Sequence, residues 1–155
     1  MTPHFAFATA LLYCMAADGE RDNEEVGHLL SVLGGSNDGG SIGVGAQNQK
    51  LLDRAVQCVR TKSVDEFLAE AVPLLTDAQK ICILCKLIDS ALSDGEAEPE
   101  EQVLITKIQD ASGIFDERFK PFFDVLMAKC DITGFVNGNH PANAPGHVAK
   151  ISGLN

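Results

Sequence analysis

Two short stretches of this chain carry side chains that could do chemistry. The first, Asp18, Gly19, Glu20, Arg21, Asp22, Asn23, Glu24, Glu25, holds five carboxylates and one guanidinium. At a constant offset of 76 positions it lies over Asp94, Gly95, Glu96, Ala97, Glu98, Pro99, Glu100, Glu101, with five carboxylates and no base. The windows carry −4 and −5, so −9 of the chain's net −10 sits in them, and the rest of the sequence is nearly balanced, with twelve acids and eleven bases. Clustered carboxylates without a base are what a site for a hard divalent cation, Ca2+ or Mg2+, looks like before the ion arrives, because such ions are held by several carboxylate and carbonyl oxygens. The residues that could ligate are Asp18, Glu20, Asp22 and Glu25 in the first window and Asp94, Glu96, Glu98 and Glu101 in the second.

Helix capping explains part of the same pattern. Asp22 and Glu25 are spaced as N-cap and N3 of a capping box, and Glu98, Pro99 and Glu101 form a variant with Pro at the first helical position. Gly19 and Gly95 can supply the left-handed residue that ends a preceding helix. Asp18, Glu20, Asp94 and Glu96 stand before the helix start and add like charge to an acidic turn, which caps do not explain. An EF-hand does not explain them either. With Asp18 and Gly19 at its fifth and sixth positions, the first and third ligands would be Cys14 and Ala16, and in the second copy Ser90 and Leu92. Each turn alone would therefore hold an ion weakly, and strong binding requires the two to share ligands.

The elements around the turns read as helices, with no alternating segment that asks to be a strand. Helices are predicted over 4–17, 22–33, 47–60, 64–75, 76–93 and 99–111, and Pro121 opens the core of a seventh running through Met127. Ser63 with Glu66, and Thr76 with Gln79, are spaced as capping boxes. The helix holding Ile81, Ile83, Leu84, Leu87, Ile88 and Leu92 is apolar around most of its circumference, which marks a central element. The repeat puts residues 5–17 in the same role, so they are expected to belong to the fold rather than to a cleaved leader. Both acidic windows thus join an apolar helix to an amphipathic one, and two related helical hairpins are implied. The fold class expected is all-α, one domain of about seven helices in two pseudo-symmetric halves. It spans 1–130, with a glycine-rich loop at 34–46 and an irregular tail at 131–155.

Composition limits the function classes. A length of 155 residues suits one domain, and at 45% apolar with no uninterrupted apolar run of ~18 residues the chain is expected to be globular without a membrane span. A net charge of −10 disfavours the phosphate neutralisation on which nucleic-acid binding rests, and disfavours acidic membranes. Cys14, Cys58, Cys82, Cys85 and Cys130 are odd in number and lie mostly in apolar runs, which points to buried thiols in a reducing compartment, the cytoplasm. The Cys82, Cys85 pair has no second pair and no βαβ context, so it too is expected to be buried and structural. His140 and His147, in the Pro/Gly tail, lack partners at fixed spacing for zinc. The glycines of 34–45 lack the ending of a phosphate loop, and no catalytic triad can be assembled.

A helix ending in Ala-Asp-Gly-Glu, then acids, then a Glu-Glu pair opening an amphipathic helix, twice in about 150 residues, resembles the TerB-like domain of tellurite-resistance and related bacterial stress systems. The resemblance covers roughly residues 8–130 as a pattern of helices, and in residue identity 16–33 and 88–108. It implies an all-helical domain with an acidic metal-binding surface and a non-enzymatic role in a membrane-associated stress-response or tellurium-resistance complex. The motif Asp falls on Asp18 and Asp94 and the motif Glu on Glu25 and Glu101, with the other acids as supporting charge. The 34–45 segment and the tail after 131 have no counterpart in the pattern. The expected function is a binding module for a divalent cation or a basic protein partner, with no other cofactor. The alternatives are a purely structural scaffold with capped turns, or a metal-dependent hydrolase. Against the latter, helical di-metal sites take a Glu-x-x-His motif from each of two helices, whereas this sequence has one, Glu25 to His28.

Overall fold

The computed structural model describes residues 1–17, 48–92 and 97–147. Among these the regular structure is helical throughout: α1 (Pro3–Met15), α2 (Asn48–Thr61), α3 (Val64–Ala71), α4 (Asp77–Ala91), α5 (Pro99–Ser112) and α6 (Asp116–Cys130), with short 3-10 turns at Val72–Leu74, Ile132–Phe135 and Pro141–Asn143. The all-α class expected from periodicity is what the chain adopts. The helix expected over 22–33, the glycine-rich loop and His28 lie outside the described residues.

Sequence chemistry accounts for most boundaries. The Thr2 hydroxyl accepts the Phe5 N–H at 3.2 Å and Pro3 occupies the first helical position, so α1 opens where its orphan amides are satisfied. Both expected capping boxes form. The Ser63 N–H donates to Glu66 Oε2 at 2.8 Å, and the Thr76 N–H donates to Gln79 Oε1 at 2.9 Å. α5 ends on Gly113, whose φ of 65° is left-handed and open to glycine at no steric cost.

Two elements differ from expectation for reasons that involve proline. The helix expected over 64–75 stops at Ala71 and tightens into the 3-10 turn, because Pro73 has no N–H to continue the ladder. The last helix starts at Asp116, five residues before Pro121, and carries that proline inside it. One lost backbone bond is tolerated there because Phe119 is buried at 4% exposure and stacks on Phe122, with ring centroids 6.0 Å apart. Ion pairs Arg118–Asp77 and Lys129–Asp89 tie the same helix to α4.

The core is centred on α4, where Leu84 and Leu87 are wholly buried and Ile88 nearly so, and which packs against α1, α5 and α6. α1 is buried on most of its circumference through Ala6, Phe7, Ala8, Ala10, Leu11, Cys14 and Met15, and packs on α2 and α4. The two apolar helices that lead into the acidic windows are therefore both central and touch each other. Tyr13 fastens α1 to the turn between α2 and α3: its hydroxyl donates to the Lys62 carbonyl at 2.9 Å and its ring lies 5.3 Å from that of Phe67.

Candidate functional site

Of the eight acids singled out by spacing, Asp18, Glu20, Asp22, Glu25, Asp94 and Glu96 lie outside the described residues, whereas Glu98 and Glu101 open α5. Glu98 is the N-cap, with φ −64° and ψ 149°, Pro99 follows at the first helical position, and Glu101 stands at N3. The Glu98 N–H donates to Glu101 Oε2 at 3.0 Å, and the Gln102 side-chain amide donates to the Ala97 carbonyl at 2.7 Å, fixing the approach of the chain from the other side. The expected capping variant is thus real, with Pro99 where a missing N–H costs nothing.

The two described acids differ in surroundings. Glu98 and its neighbour Glu100 are exposed. Glu101 is only 8% exposed, and its other oxygen, Oε1, accepts from the Cys14 thiol at 3.7 Å. Cys14 is on the last turn of α1, itself 1% exposed, and four residues before Asp18. The contact spans 87 residues of sequence, and it joins the helix that enters the first acidic window to the helix that leaves the second. Nothing local in the sequence signals it, since no spacing rule links residues so far apart.

Chemically, the bonds from the Glu98 amide and the Cys14 thiol fix the orientation of the Glu101 carboxylate. The positive end of the α5 dipole lies beside it, favouring anionic side chains at this place by about 0.3–1 kcal/mol each and opposing a bare cation to a similar extent. Among the described residues no three His, Cys, Asp or Glu side chains gather to hold a metal ion.

Two expectations about other residues are corrected. Cys14 and Cys58 are buried, as expected, but Cys82 is exposed, and Cys85 and Cys130 are half-buried. The outward side of α4 carries both members of the pair, because its inward positions are taken by Ile83, Leu84, Leu87 and Ile88. His140 is held rather than free in its tail: its Nε2 lies 2.7 Å from Asp131 Oδ2, and its Nδ1 accepts the Ala142 N–H at 3.1 Å. The Thr133 hydroxyl, with the Thr133 amide and the His140 ring, holds the Asp131 carboxyl below the usual carboxylate range. That ring is engaged by a carboxylate and an amide of its own tail.

The family model of the tellurite resistance protein TerB matches residues 4–121 of the chain. No curated protein and no solved structure matches it.

Proposed function

The chain belongs to the TerB family of tellurite resistance proteins, and on that footing we propose that it is a non-enzymatic binding module whose two acidic turns together hold a divalent cation, Ca2+ or Mg2+. The proposed ligands are drawn from Asp18, Glu20, Asp22, Glu25, Asp94, Glu96, Glu98 and Glu101. The observation that carries the reading is the 3.7 Å contact between Cys14 and Glu101, which holds the end of α1 against the start of α5. The two windows grow from those two helix ends and together hold −9 of the net charge. Like charges drawn close raise one another's free energy, and a dication shared between the turns offsets that repulsion where neither turn has enough ligands alone. Glu101, fixed by an amide and a thiol, is the pre-oriented member, and Glu98 the exposed one.

The role is one of recruitment rather than turnover, in a tellurite-resistance or stress-response system, with a protein partner. Among the described residues no helix is long and apolar enough to cross a membrane. The test is thermal unfolding in Ca2+ or Mg2+. An ion at ~100 times its dissociation constant should stabilise the fold by ~2.7 kcal/mol, and Asp18→Asn with Asp94→Asn should remove that gain. An unchanged melting temperature up to millimolar ion, in wild type and variants alike, overturns the cation reading. In that event a pull-down eluted by salt would point to a basic protein partner on the same turns.

A further inference from the structure

The outward face of α4 holds a pair of thiols that the acidic turns do not use. Cys82 and Cys85 are three residues apart on a regular helix, so they lie on one face with Cβ atoms roughly 5–6 Å apart. Cys82 is exposed and Cys85 half-buried beneath it. A disulfide needs Cβ atoms about 3.5–4.5 Å apart, so the regular helix spaces the pair more widely than a disulfide favours, yet close enough for one atom to bridge the two sulfurs. Burial, and then the neighbouring Cys82, push the Cys85 thiol up, so Cys85 is held as a thiol at neutral pH. Beside Cys82 opens a cavity of about 160 Å3 lined by Pro3, His4, Phe7, Gln79, Cys82 and Ile83. That is about the volume that takes a benzene ring, and it is mainly apolar.

We propose that Cys82 and Cys85 form a dithiol site for a thiol-seeking metalloid in its trivalent state, with the substituent that is not sulfur turned into this cavity. Both sulfurs bond to the metalloid as its bonds to oxygen break. The two thiol protons leave with that oxygen as water, and no electron changes hands. Soft thiolate ligands select such centres over the hard cations proposed for the acidic turns, so the two sites are chemically separate and neither reading rests on the other.

The test uses phenylarsine oxide as the probe, with the whole chain, excess monothiol and intact-mass detection. One adduct per chain is expected, with the mass of one water lost, stable to the monothiol and released by a dithiol such as dithiothreitol. It should disappear in Cys82→Ser and in Cys85→Ser. Absence of the adduct in wild type, or its retention by either single variant, overturns the proposal. Because Cys85 also packs against the core, Cys82→Ser is the decisive variant. Its side chain is exposed, so its circular dichroism and melting temperature should match those of wild type while the adduct is lost.

Discussion

The starts of α3 and α5 are built from one local device, a cap whose partner lies three positions on, and adjacent residues of α1 reach both. Tyr13 touches the α3 start through the Lys62 backbone carbonyl, which leaves the Glu66 carboxylate at the surface bonded to the Ser63 amide and hydroxyl. Cys14 touches the α5 start through the carboxylate of Glu101 itself, which is thereby taken out of water. The same four-residue pattern is a surface cap in one place and a core contact in the other. A capping box in the sequence therefore says that a helix begins there, and says nothing about whether its acid is free to bind.

The strongest way to break this comparison is substitution. Glu101→Ala leaves a half-buried N–H without its acceptor and a gap against Cys14, and should cost about 1–3 kcal/mol in chemical denaturation. Ser63→Ala, at the surface cap, should cost about 1 kcal/mol. Equal losses would mean that the burial of Glu101 has no energetic weight.

A smaller effect sharpens the link at α3. Burial, with Cys58 and Glu66 adding negative charge, pushes the Tyr13 hydroxyl up from 10.0 to about 12. Tyr13 is the one tyrosine and the chain has no tryptophan, so its phenolate absorbance can be followed alone. The folded-state value is raised, so this group's stabilisation is fully present below pH 10 and is lost as pH rises from there through about 12. Tyr13→Phe should remove that alkaline dependence, and titration at the unfolded value in the folded protein would show that the hydroxyl is not buried against the turn between α2 and α3.

The smallest effect is at the acid end. The Ser63 amide, then its hydroxyl, hold the Glu66 carboxyl below its ordinary 4.5. A lowered value gives stability that is present above the unfolded value and lost as pH falls through the folded one. Glu66→Gln should flatten the acid limb of the stability profile, with a small loss at neutral pH and no difference from wild type once the carboxyl is protonated at low pH.

Much of the fold was legible before any coordinates. Thr76 with Gln79, Ser63 with Glu66, and Glu98 with Pro99 and Glu101 each mark a helix start, because a cap is satisfied within three or four residues and the sequence shows all its participants. Pro121 misled for a related reason: its local meaning is a helix start, whereas burial of Phe119 and the ion pairs to Asp77 and Asp89 extended the helix back to Asp116. At the candidate site, spacing found the acids and their capping roles, but could not tell Glu98 from Glu101.

What the sequence determined by itself was the helical class, the caps and the concentration of charge in two turns, since each depends on residues close along the chain. The tertiary structure decided that Glu101 lies against Cys14, that Cys82 faces outward while Leu84 and Leu87 do not, and that His140 is held by Asp131. Exposure is settled by which element arrives from far away to cover a side chain, and α1 and α5 meet across 87 residues for which no local period carries a record.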